Sequence, residues 1–76
     1  MPHVIIKLLT GRSDEQKAKI AEDVTQTIMA SAQCAEKSVS VTIEDVAPGD
    51  WTEKVYKPDI LAKADILYKK PGYDAL

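Results

Sequence analysis

A single cysteine, Cys34, and a single histidine, His3, occur in this 76-residue chain. No intrachain disulfide can form, and one thiol with one imidazole do not make a conventional tetrahedral zinc site. Long apolar runs are also missing. The apolar stretch nearest the N-terminus is short and broken by Lys7, too brief for a membrane span or a signal peptide. Nor is there an excess of positive charge. Ten Lys and Arg stand against twelve Asp and Glu, a net charge of -2, so nucleic acid is not expected as a partner. These absences point to one cytoplasmic domain over residues 1–76 that lacks the usual supports of a small fold. A chain this short buries only about 60% of its unfolded surface. Association with further copies is the remaining way to enlarge its core.

What is present reads as a short series of elements. His3 to Leu9 is nearly continuous in β-branched residues and leucine, the pattern of a strand covered on both faces. Gly11-Arg12 breaks it. Ser13, with Gln16 three residues on, is a capping-box arrangement that opens a helix over Asp14 to Ala32. Ile20, Val24 and Ile28, with Ala21 and Ala32 beside them, form its apolar stripe. Ser38 to Val46 is a second strand, alternating Val39, Val41 and Ile43 with Ser40, Thr42 and Glu44. Strand, helix and strand make a βαβ unit with parallel strands and a right-handed crossover. The rest, Trp51 to Tyr68, has helical character interrupted by Pro58. That proline suits the first turn of a helix carrying Ile60, Leu61, Ala64, Leu67 and Tyr68, stopped by Pro71-Gly72. A two-stranded sheet is not stable alone, and its open edges invite a second copy. The fold class is α/β (α+β), with two such sheets joined across a dimer.

The chain begins Met1-Pro2, directly ahead of the first strand. With Met1 removed, Pro2 carries a secondary amine on a rigid ring, able to act as a base. With Met1 attached, the same nitrogen is a tertiary amide without a hydrogen or a usable lone pair. Arg12 is the chain's one arginine. It stands just before a helix N-terminus, where backbone N–H groups and the helix dipole also favour anions. A guanidinium there suits bidentate capture of a carboxylate.

Pro2 before a strand, the run Gly11-Arg12-Ser13-Asp14-Glu15-Gln16-Lys17, then Ser38-Val39-Ser40-Val41 and Gly49-Asp50-Trp51 resemble the tautomerase superfamily, in particular the 4-oxalocrotonate tautomerase family. The ending Lys69-Lys70-Pro71-Gly72-Tyr73 is similar to the bacterial phenylpyruvate-tautomerase-like branch, which implies a homodimer, with a hexamer as the alternative assembly. The resemblance implies a cofactor-independent isomerase, with no metal, that interconverts enol and keto forms of a 2-oxo acid. It makes Pro2 the catalytic base, Arg12 the carboxylate clamp and Trp51 the aromatic that keeps water from the proline. The family's second arginine, on the second strand, is replaced here by Ser40, a donor without charge. That favours a monoacid such as phenylpyruvate over a dicarboxylate. The related alternatives are a hydratase or dehalogenase of the same superfamily, and a non-catalytic dimeric interaction protein.

The other reactive side chains carry simpler expectations. His3 should face away from Pro2, on the surface or in sheet packing. Cys34 has no evident base partner. Tyr56, Tyr68 and Tyr73 suit helix packing or a pocket wall, and Glu44 and Asp45 read as solvated strand-end charges.

Overall fold

A computed structural model describes residues 1–74. Strand β1 (His3–Leu9) pairs in parallel with β2 (Ser40–Val46), with His3 opposite Ser40 and Leu9 opposite Val46. Between them runs helix α1 (Asp14–Ala32), so the βαβ unit stands as the sequence pattern requires. The second strand starts two residues later than its pattern suggested, because Glu36–Ser38 close a 3₁₀ turn first. At the start of α1 the Gln16 amide donates to Ser13 Oγ at 3.1 Å, and the Ser13 amide donates to Gln16 Oε1 at 2.8 Å. Both halves of the capping box are therefore made, and two of the helix's orphan donors are satisfied. Gly11, which leads into this cap, has φ +126, a conformation that side chains other than glycine's rarely allow.

The two sheet faces differ. Val4 and Ile6, opposite Val41 and Ile43, are half-buried on the face that α1 covers with Ile20, Val24 and Ile28; Ala32, expected beside that stripe, is exposed. His3 and Ile5 lie on the other face and are exposed, Ile5 by 58%. The expectation that β1 is covered on both sides thus fails within one chain. Further along the same face Lys7 and Leu9 are half-buried, Lys7 against the C-terminal segment.

That segment corrects the sequence reading. Pro48–Asp50 form a 3₁₀ turn that runs straight into a wide, π-type helix, α2 (Thr52–Leu61), with Pro58 inside it. Pro58 does not open a helix reaching Tyr68. Instead, Ala64–Ile66 form a separate 3₁₀ turn, and Leu67 and Tyr68 lie beyond it, Tyr68 fully exposed. The physical reason lies in the ring. In an α-helix a proline ring meets the carbonyl four residues back, and its missing N–H breaks a bond. A helix bonded five residues back widens the turn, as in the 2.9 Å bond from the Ala62 amide to the Lys57 carbonyl. Helical backbone is already established at Trp51, so the chain widens around Pro58 rather than starting at it.

Two lysines tie the layers together. Lys7 on β1 pairs with Asp59 on α2, and Lys17 on α1 donates to Asp45 on β2 at 2.6 Å. Asp45 is therefore an inter-element tie and not merely a solvated strand-end charge. In both lysines the hydrogen bond to the carboxylate raises the ammonium pKa above its ordinary value, against a smaller opposing effect of burial. A raised pKa in the folded state stabilises the fold wherever the lysine is charged in both states. That contribution should hold through neutral pH and fade once pH climbs above about 10.4 through the raised folded value. Urea midpoints at pH 8 and pH 11 test this: the alkaline loss should shrink in the Lys7→Met and Lys17→Met variants.

The core of one chain is small. Val55 and Tyr56 are the only buried hydrophobic side chains among the described residues, 5% and 8% exposed. The accessible surface is 5753 Å², whereas a compact monomer of this mass would expose about 4,600 Å². The radius of gyration is 13.8 Å, against about 11 Å for a compact domain of this length. Among the described residues, no helix is long and apolar enough to cross a membrane.

Candidate active site

Strand geometry decides where the candidate residues lie. Pro2 sits at the start of β1, half-buried, and its carbonyl accepts the Ser40 amide at 3.2 Å. Met1, by contrast, is fully exposed. The bond that holds Pro2 to β2 therefore does not involve Met1, and the proline stays anchored whether or not Met1 is present. Ser40 begins β2 at the same end of the sheet.

Arg12 lies at the other end. It follows β1's last residue by three positions and donates from Nη1 to the Leu9 carbonyl at 3.2 Å. With Ser13, Glu15, Gln16, Lys19 and Ile20 it lines an open depression of about 450 Å³ at the start of α1. The Arg12 guanidinium and the N-terminal end of α1 favour an anion here, while Lys19 is already paired with Asp23 at 2.6 Å and Glu15 carries the opposing charge. Trp51 belongs to this end as well, five residues after β2 finishes. Its indole N–H donates to the Tyr73 hydroxyl at 3.1 Å, and Tyr73 in turn packs on the buried Tyr56, with ring centroids 5.8 Å apart.

A strand rises about 3.3 Å per residue, so the two ends of the seven-residue β1 lie roughly 20 Å apart. One chain thus brings Pro2 together with Ser40, and places Arg12 and Trp51 at the opposite end. It does not bring the two pairs together.

The structure also reveals a contact that strand alternation did not expose. His3 does lie on the outer face of the sheet, yet its ring is engaged: Nδ1 stands 2.6 Å from Ser40 Oγ, across the strand pair. The sequence signal for this was the parallel register itself, which the strand pattern alone does not set. Tyr73 was similarly open in sequence and is now fixed against Trp51. Cys34 is half-buried, with its thiol directed toward the Ile28 carbonyl. No group of three or more His, Cys, Asp or Glu side chains able to hold a metal occurs among the described residues.

Trp51 is the chain's one tryptophan, so its fluorescence reports this cluster alone. Tyr73→Phe removes the acceptor of the indole N–H and keeps the ring. A shift of the emission maximum, with far-ultraviolet circular dichroism unchanged, is the expected result.

A parallel βαβ unit with a proline leading its first strand and a capped arginine loop after it is the architecture of a small isomerase. The profile of the Tautomerase enzyme family matches residues 2–54, starting at Pro2, and the chain belongs to that family, within the 4-oxalocrotonate tautomerase group. A probable tautomerase of Xylella fastidiosa (strain 9a5c) is 41% identical over 76 residues, which is 100% of this chain and 93% of its own. The tautomerase PptA of Cronobacter sakazakii is 37% identical over 75 residues, covering 97% of this chain and 99% of its own. A solved 4-oxalocrotonate tautomerase isozyme from Methylibium petroleiphilum superposes with a TM-score of 0.64 at 38% identity, covering 66% of this chain and 81% of its own. The alignments with these two relatives extend through the C-terminal segment, beyond the family profile.

Proposed function

We propose that this isomerase interconverts the enol and keto forms of an aryl-substituted 2-oxo acid of the phenylpyruvate kind, in the cytoplasm, as a homodimer without a cofactor. The observation that carries this reading is the fixed position of Pro2, held at the sheet end by the Ser40 amide while Met1 lies free of the fold. Removal of Met1 then leaves a secondary amine in a set place. An α-amino group ordinarily titrates near 7.7–8.0 and proline's is more basic. A neighbouring cation and an apolar wall both disfavour its charged form and bring it toward working pH. The amine takes the proton of the enol hydroxyl, the C=O forms as the C=C electrons move to the adjacent carbon, and the protonated ring nitrogen returns the proton to that carbon.

The cation and the wall come from a second copy in this reading. Arg12 and Trp51 stand at the end of the sheet away from Pro2, so two chains running antiparallel place one copy's Pro2 and Ser40 against the other's Arg12 and Trp51. The surface of one chain supports such pairing. It exceeds that of a compact monomer by roughly 1,200 Å², more than the about 800 Å² each partner gives up in an ordinary interface. Arg12 would clamp the carboxylate, and Trp51 would lie against the aryl group. Ser40 offers a hydroxyl but no charge, which suits a substrate with one carboxylate.

The test is direct. The intact mass should correspond to a chain beginning at Pro2, and such protein should ketonise phenylenolpyruvate, followed by ultraviolet absorbance. Processed, folded protein without turnover of this enol would overturn the substrate class.

A further inference from the structure

We propose that His3 is a positioning residue of this active site: its Nδ1 holds the Ser40 hydroxyl so that the hydroxyl proton points at the oxygen of the reacting enol. The inference rests on the reading of Pro2 and Ser40 given above and extends it to a residue outside that reading.

Three observations converge. The register sets His3 opposite Ser40, and their side chains meet at 2.6 Å, Nδ1 to Oγ. The Ser40 amide donates to the Pro2 carbonyl, so imidazole, hydroxyl and proline are tied to one strand end. Both side chains are exposed on the outer face, at the strand end that Pro2 leads.

The chemistry follows from counting protons. A serine hydroxyl carries one proton, and a ring Nδ1 either donates or accepts. If Nδ1 accepts, the serine proton is committed to the ring, and Oγ presents only lone pairs to an approaching oxygen. An enolate would be repelled. If Nδ1 carries the hydrogen, it donates to Oγ and leaves the serine proton free to meet the oxygen on which negative charge develops. The second state gives an uncharged side chain the work of an oxyanion donor, and a donor ordered in advance is worth more than one that must turn. His3 thereby offsets the lack of charge at Ser40.

Kinetics of phenylenolpyruvate ketonisation by the processed, full-length protein test the proposal with four variants. Ser40→Ala should lower kcat about 10-fold, below the roughly 10²- to 10³-fold that a water-excluded oxyanion donor is worth, because this hydroxyl is open to water. His3→Ala should lower it to a similar extent, with KM little changed. In the Ser40→Ala background, His3→Ala should have no further effect. His3→Asn, whose amide nitrogen can take the place of Nδ1–H, should recover most of the activity. A second readout needs no turnover: His3 is the chain's one histidine, so its ring ¹⁵N signals are unambiguous. With phenylpyruvate present, Nδ1 should be protonated, and Ser40→Ala should shift its resonance.

Wild-type kcat in His3→Ala, effects of the two substitutions that multiply in the double variant, or an unprotonated Nδ1 with ligand present would each overturn the role of His3. If these occur while Pro2→Ala is inactive, the proposed function stands and only this inference falls. Full activity in Pro2→Ala removes both.

Discussion

Pro2→Ala is expected to reduce kcat/KM for phenylenolpyruvate by about 10²- to 10⁴-fold, the range that a positioned proton-transfer group ordinarily supplies. Alanine at position 2 is small, so Met1 is still removed, and the variant retains an α-amino group. What it loses is the ring that holds the nitrogen in one orientation and the higher basicity of a secondary amine. Stability should barely change, since the bond at this position uses the Pro2 carbonyl, which alanine also carries. A chain isolated with Met1 still attached is the sharper companion. There the nitrogen is an amide, and turnover should fall to the uncatalysed rate with the fold intact. Substantial activity in the chain that keeps Met1 would mean that the base lies elsewhere, and wild-type activity in Pro2→Ala would remove any need for the ring.

The second large effect concerns pairs of inactive variants. Pro2→Ala and Arg12→Ala should each be nearly inactive alone, yet a refolded equal mixture should regain activity. In one chain the two residues occupy opposite ends of β1, so in the proposed antiparallel dimer each site would take its proline from one copy and its arginine from the other. A random mixture contains half heterodimers, and in each of these one site of the two is intact, so roughly a quarter of wild-type activity should return. No recovery, with subunit exchange verified by mass, would place both residues in one chain's site or remove Arg12 from it. Size-exclusion chromatography of the wild-type chain at the volume of a monomer would contradict the pairing at its root. The small core makes that outcome unfavourable, because Val55 and Tyr56 are the only hydrophobic side chains that one chain buries among its described residues.

Much of this molecule is legible from sequence because its signals are local. The capping box at Ser13 and Gln16 operates over three residues, the apolar stripe of α1 over a few turns, and the alternation in β2 over two. The Met1-Pro2 start and the arginine loop before α1 carried the family with them. Pro58 was misread for a related reason. A local rule places proline in a first turn, but the helix had already begun upstream, and a wider turn accommodated the ring.

The side-chain pairings between elements act over much longer separations. His3 meets Ser40 across 37 residues, Trp51 meets Tyr73 across 22, and Lys7 meets Asp59 across 52. None follows from periodicity, since each depends on the register of two strands or on where the chain returns after α2. The sequence by itself determined the βαβ unit, the proline at its head and the family to which it belongs, because short-range sterics and hydrogen bonds specify them. Tertiary structure alone decided that an imidazole rests on Ser40 and that Tyr73 returns to the Trp51 indole. A parallel register sets which residues become neighbours, and a strand's length sets which ones cannot.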